Sequence, residues 1–201
     1  KNMFKHNKEL GGNSKFDKGC VKKVLLIAHN CRYDFTFILN YLYCLKPLLK
    51  GNRLMGGSAR IYISKTNFIK VEFQDSYNLI SSPLRGFSKM FNLESKKEIL
   101  PYDLYNTENI NNRFINTNEC LKYIKDDDKN EYLENAKKWG CIFDDTIDIL
   151  KYSKEYCKID CKVLKNGYDT FRKWILEVTE LDIVNYCSIA SLSLDYLVIN
   201  D

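Results

Sequence analysis

Histidine and proline are scarce in this sequence, with two and three copies in 201 residues. Eight cysteines are present, yet no Cys-x-x-Cys and no His-x-x-x-His spacing occurs, which argues against a structural zinc site. Cys157 and Cys161 stand one helical turn apart. Without a disulfide framework such thiols read as the reduced cysteines of an intracellular, reducing compartment. No apolar run reaches the roughly 18 residues of a membrane span, and no signal peptide opens the chain, whose first stretch from Lys1 to Lys23 is polar. No segment is expected to enter a membrane. Internal repeats and dividing linkers are missing as well, so one α/β domain is the economical reading.

What is there supports a core: 45% of the residues are hydrophobic and 28% charged. The net charge is +5 with a sequence pI near 8.6, and the basic residues are spread among 14 Tyr and 11 Phe rather than gathered in a tail. That balance favours a polyanionic partner. A solvated surface encoded by an A/T-rich genome has the same signature.

Residues 1–20 lack periodicity and read as a loop or frayed end. Val24-Leu25-Leu26-Ile27-Ala28 is a continuous branched apolar run, the pattern of a strand buried on both faces. Phe35, Ile38, Leu39 and Leu42 then recur at helical spacing, which predicts a helix packed back on that strand as far as Pro47. Gly51 to Ser58 reads as turn. Ile61 and Ile63 alternate against Ile69, Val71 and Phe73 across Lys65-Thr66-Asn67, the pattern of a hairpin. Ser82-Pro83 has the N-cap and N1 order of a helix carrying Leu84, Phe87 and Phe91. Asp126-Asp127-Asp128 is expected to be a solvated turn rather than a metal cluster. Asp144-Asp145 is expected to cap a long helix through Ile149, Tyr152, Tyr156, Ile159, Val163, Leu164 and Phe171.

Two places carry chemistry. Asp34 follows the buried strand in His29-Asn30-Cys31-Arg32-Tyr33-Asp34, at a sheet edge where ligands bind, unless it only caps the next helix. Tyr156 and Asp160 are i and i+4 and so share one helical face. In phosphodiester hydrolysis such a carboxylate holds a divalent metal while the phenol orients water.

Taken in order, these segments resemble the second and third exonuclease motifs of family-B DNA polymerases, Asn-x-x-x-Asp and Tyr-x-x-x-Asp. Between them, Asp75-Ser76-Tyr77 with the following helix resembles the single-strand-binding segment of the protein-primed viral and organellar subgroup. Lys97-Glu98-Ile99-Leu100-Pro101-Tyr102 matches that subgroup's Lys and Tyr five residues apart. The resemblance covers roughly residues 24–200. It implies an α/β, ribonuclease-H-like 3′→5′ exonuclease fold, a mixed sheet flanked by helices, over 21–179, with 180–201 starting the connection to a polymerase palm. It also implies catalytic roles for Asp34, Lys97, Tyr156 and Asp160, with Asp34 and Asp160 as ligands of weakly bound Mg²⁺ or Mn²⁺. His29, Asn30, Tyr33, Ser76, Tyr77 and Tyr102 would hold DNA. Phe37 would join them by resemblance, although core packing is the simpler reading of that ring, and Asp75 is left outside the metal site as a strand terminator.

The family's first exonuclease motif, Asp-x-Glu, does not occur before Asp34, and the polymerase motifs do not occur at all. The expectation is therefore a DNA polymerase fragment that contributes the proofreading exonuclease or single-stranded-DNA-binding domain and does not polymerise alone. Its partners would be a single-stranded 3′ end, primer-template DNA, the rest of the polymerase or a terminal protein. Its place would be the mitochondrion, or a virus-infected or plasmid-bearing cytoplasm. A non-catalytic single-strand-binding remnant and a DEDD-type exoribonuclease are the alternatives.

Overall fold

The branched run Val24 to Ala28 lies in β2 (Cys20–Ala28), an interior strand of a five-stranded sheet. The computed structural model describes residues 4–6, 19–95 and 97–200. The sheet runs in the order β1-β2-β5-β4-β3, with β1 (Phe4–His6), β3 (Tyr43–Lys50), β4 (Arg53–Tyr62) and β5 (Phe68–Asp75). It is mixed: β2 and β5 are parallel, and every other pairing is antiparallel. Phe4–His6, inside the stretch expected to be loop, is a strand because its backbone pairs with Leu25 to Ile27. The remainder of residues 1–18 lies outside the described residues.

One face of this sheet carries Val24, Leu26, Ala28, Ala59, Val71 and Phe73, which pack with Cys31, Phe35 and Leu54 into a core. The hairpin expected across Lys65-Thr66-Asn67 is β4–β5, with Tyr62 opposite Phe68 and the connection running over 63–67. Two expectations beside it are corrected. The helix after β2 is short, α1 (Arg32–Thr36), followed by a 3-10 turn at Leu39–Tyr41. Tyr43 onward, Pro47 included, is the edge strand β3, and most of 51–58 is strand β4 rather than turn. Pro47 is tolerated because an edge strand leaves one side of its backbone unpaired. The pairing of β3 with β4 decides its conformation, which the local helical spacing does not reveal. The Ser82-Pro83 helix is likewise a 3-10 turn, Leu84–Gly86, running into one turn of α2 (Phe87–Met90), without a side-chain cap at Pro83.

The chain forms two compact units: residues 1–94 with 163–201, and residues 95–162. The second has its own sheet, β6-β8-β7, built from β6 (Phe114–Asn116), β7 (Ile142–Phe143) and β8 (Thr146–Asp148). It also contains α3 (Thr107–Asn112), α4 (Thr117–Lys122) and α5 (Asp126–Lys138). Its core gathers Leu104, Cys120, Tyr132, Ala136, Cys141, Ile147, Ile149 and Tyr152. Asp126-Asp127-Asp128 is not a loose turn but the first turn of α5, with Lys137 and Lys138 in the last, charges that suit both ends of the helix dipole. Asp144 and Asp145 sit in the β7–β8 turn. The cap of the long helix falls instead to Asp148, which accepts the Lys151 N–H at 3.0 Å.

That helix, α6 (Ile149–Thr179), gives its residues 149–162 to the second unit and 163–179 to the first. In the first unit Tyr168 donates to the Gln74 amide oxygen at 2.7 Å. Gln74 itself donates to the Ile183 carbonyl at 3.1 Å and to that of Tyr186. Residues 189–200 form α7 (Ile189–Asn200). Among the described residues no helix is long and apolar enough to cross a membrane.

Candidate functional site

The i, i+4 spacing on α6 places Tyr156 and Asp160 on one face, and the irregular segment from Lys97 to Tyr102 runs against that face within the same unit. Lys97 Nζ stands 3.7 Å from Asp160 Oδ2, an ion pair just beyond hydrogen-bond length, and 5.9 Å from the centre of the Tyr156 ring. The Tyr102 and Tyr156 hydroxyls are 3.2 Å apart. The structure thus brings together four of the expected residues: Lys97, Tyr102, Tyr156 and Asp160.

Burial sets the electrostatics here. It pushes the Asp160 carboxyl above its ordinary range, while the Lys97 ammonium pulls the other way. The Tyr156 phenol is driven up by burial, then by the Tyr102 hydroxyl and the Asp160 charge, so it stays protonated at any physiological pH. Asp160 Oδ1 is buried without a hydrogen-bond partner. A buried acceptor left in that state is costly and marks a place for a donor or a cation. The cluster therefore offers an ammonium for a phosphate oxygen, a neutral phenol that can hold a water, and one carboxylate oxygen with open lone pairs.

The remaining expected residues lie in the first unit, at the carboxyl ends of the parallel strands β2 and β5. Asp75 is buried and accepts the Asn30 N–H at 2.8 Å and the Tyr77 N–H at 3.0 Å on Oδ1, and the Cys31 N–H at 3.3 Å on Oδ2. It ends β5 as expected, and it also ties the loop after β2 to the loop after β5. Asn30 sits at φ +56° in this clamp. The Cys31 thiol is pushed up to about 12 by burial and then by the Asp75 charge.

His29 and Ser76 are occupied inside the protein. The Ser76 hydroxyl donates to the Ala28 carbonyl at 2.9 Å. The His29 ring nitrogens contact Ser76 Oγ at 2.9 Å and the Ser82 carbonyl at 2.8 Å. Asp34 is exposed in the first turn of α1, whose N-cap residue is Cys31 and which has no side-chain cap. Tyr33 and Phe37 are exposed and pack edge to face, 5.1 Å between centres. The expectation that Phe37 packs in the core is thereby corrected: α1 ends at Thr36, and the ring falls beyond the buried stripe. Tyr77 lies under the Arg53 guanidinium at 5.2 Å.

Among the described residues no group of three or more His, Cys, Asp or Glu side chains is placed to hold a metal ion. A hexacoordinate Mg²⁺ or Mn²⁺ takes oxygen ligands and keeps several waters. Asp160 Oδ1 fits one such position; the described residues of its unit do not complete the set.

The sequence profile of the family described as DNA polymerase type B, organellar and viral, matches residues 20–197. A probable DNA polymerase of Ascobolus immersus is 27% identical over 172 residues, covering 83% of this chain and 14% of that protein. A DNA polymerase of Kluyveromyces lactis is 26% identical over 180 residues, covering 82% and 17%. A probable DNA polymerase of Podospora anserina is 20% identical over 153 residues, covering 76% and 12%. The chain thus spans about one-seventh of the length of these relatives. No solved structure matches it.

Proposed function

Because the chain belongs to the organellar and viral type B DNA polymerases, we propose that it contributes the 3′→5′ exonuclease part of such an enzyme and handles the 3′ end of single-stranded DNA. The observation that carries this reading is the convergence of Lys97, Tyr102, Tyr156 and Asp160 in one unit. Lys97 neutralises charge on the scissile phosphate, Tyr156 orients the attacking water, and the exposed Tyr102 lies against the terminal nucleotide. In the first unit the mixed sheet, with loops at the carboxyl ends of its parallel pair, supports a ribonuclease-H-like topology. There Asn30, Tyr33 and Tyr77 contact the strand, while His29 and Ser76 act by fixing the loops.

Asp160 Oδ1 would hold Mg²⁺ or Mn²⁺, and the bound cation would supply Lewis-acid stabilisation of the phosphate. Asp34, in the first unit, is proposed as a metal ligand on the strength of its motif alone. One observation favours a second reading, a single-strand-binding module that does not cut: the described residues present no three-membered metal-binding group.

The test is a 5′-labelled single-stranded oligonucleotide incubated with the chain and Mn²⁺. A ladder of 3′-shortened products that Asp160→Ala abolishes supports the exonuclease. Salt-sensitive, metal-independent binding without shortening supports the binding module.

A further inference from the structure

On α6 the stripe that carries Tyr156 and Asp160 begins one turn earlier, at Tyr152, and each of the three meets the segment from Lys97 to Tyr102. The Tyr152 hydroxyl donates to the Ile99 carbonyl at 3.0 Å, the Tyr156 and Tyr102 hydroxyls stand 3.2 Å apart, and Asp160 faces Lys97 at 3.7 Å. From α5, the Asn135 amide donates to Glu98 Oε2 at 2.9 Å. All of these residues lie in the second unit.

Residues 97–101 belong to no helix or strand, so side chains rather than a backbone ladder must hold them. Ile99 and Leu100 pack against the core of the unit, and the two hydrogen bonds from buried groups fix the backbone there. Asn135 is buried, and Tyr152 is fully buried with its ring 4.5 Å from that of Tyr132 and 4.8 Å from that of Trp139. Burial drives the Tyr152 phenol up, so it stays a donor at any physiological pH.

The placement matters because a lysine is a point charge on a flexible stem, and the backbone beneath it decides where that charge can go. Tyr152 and Asp160 are about 12 Å apart along the helix, whereas Ile99 and Lys97 are at most about 7 Å apart along the chain. The Lys97 side chain makes up the difference. A slip of the Ile99 anchor therefore takes the ammonium off Asp160.

We propose that Tyr152 and Asn135 are positioning residues: without touching DNA, they hold Ile99 and Glu98 so that the Lys97 ammonium meets the phosphate beside Asp160. The inference rests on the exonuclease reading for the reaction, and on the geometry of one unit for the placement.

The test is a double-mutant cycle between Tyr152→Phe and Lys97→Met, with folding of each variant checked by circular dichroism. It is read in kcat/KM for 3′ shortening with Mn²⁺ and, separately, in the affinity for oligo-dT with EDTA. Tyr152→Phe keeps the packed ring and is expected to lower kcat/KM about tenfold and affinity about threefold. In the Lys97→Met background it is expected to lower neither further, because it acts through Lys97. Asn135→Ala is expected to follow the same pattern with smaller losses. A merely structural bond would give equal losses in both backgrounds, and that result, or parental kcat/KM and affinity in Tyr152→Phe, would overturn the proposal. A parent that binds oligo-dT without shortening it would overturn the exonuclease reading and leave the affinity cycle to decide the placement. A parent that does neither would overturn both.

Discussion

Lys97 Nζ lies 3.7 Å from Asp160 Oδ2 while Asp160 Oδ1 is buried with no hydrogen-bond partner, so one carboxylate is half neutralised and half open. Lys97→Met leaves a buried carboxylate without this cation, and breaking such a pair costs more than the pair contributes. The variant is expected to lose about 1–3 kcal/mol in urea unfolding. Adding Asp160→Asn should recover most of that loss, because the orphaned charge is then gone. Additive losses in the double variant would show that the two side chains do not interact.

Asp75 takes three backbone N–H groups from two loops. Asp75→Ala strands all three, at about 1–3 kcal/mol for each that water cannot reach. Amide hydrogen exchange at Asn30, Cys31 and Tyr77 should accelerate together, with Asp75→Asn intermediate because it keeps one acceptor oxygen. Independent changes at the three amides would contradict a single clamp.

Gly167 lies in the interior of α6, where Ala is worth about 1 kcal/mol more than Gly by helix propensity. A Cβ there would come within 2.4 Å of the ring of Phe87, which is fully buried, and 3.0 Å of that of Phe91. Overpacking of about 1–3 kcal/mol outweighs the propensity gain. Gly167→Ala should therefore lower Tm, and a higher Tm would mean that the aromatic pair yields easily.

Asp148 is buried and is held below its ordinary value first by hydrogen bonds from Arg113, at 2.7–3.1 Å. A carboxyl with a depressed folded-state pKa adds stability that is present above its unfolded value, about 3.9, and is lost as pH falls through the folded one. Asp148→Asn should lower Tm by about 3–10 °C at pH 7, and the gap to the parent should narrow below about pH 4. A gap that stays constant from pH 7 to pH 3 would remove ionisation from the account.

The elements fixed by local pattern were legible in the sequence. The β2 run, the β4–β5 hairpin and the Tyr156/Asp160 face of α6 all follow from apolar periodicity and i, i+4 spacing. Elements decided by a distant partner were not. β3 is a mostly exposed edge strand whose conformation comes from pairing with β4, so its sequence shows no two-fold alternation. Asp148 rather than Asp144 or Asp145 starts α6, because the β7–β8 turn consumes the earlier acids. Asp75 was visible as the end of a strand. Its clamp on Asn30 and Cys31 depends on β2 and β5 being parallel neighbours, which no local pattern encodes. Lys97 and Asp160, 63 positions apart in the numbering, were linked only through the family resemblance, and the structure places them in one cluster.

The most direct test of the central claim, that the Lys97–Tyr102–Tyr156–Asp160 cluster receives a DNA 3′ end, uses a single-stranded oligonucleotide with Mn²⁺. Shortening and anisotropy are followed in parallel for the parent, Asp160→Ala, Tyr156→Phe and Lys97→Met. The 3′ shortening is expected to fall about 10²–10⁴-fold in Tyr156→Phe and to disappear in Asp160→Ala, with weaker binding in Lys97→Met. Shortening that persists in Asp160→Ala, or DNA binding equal in all four proteins with no shortening in any, would contradict it.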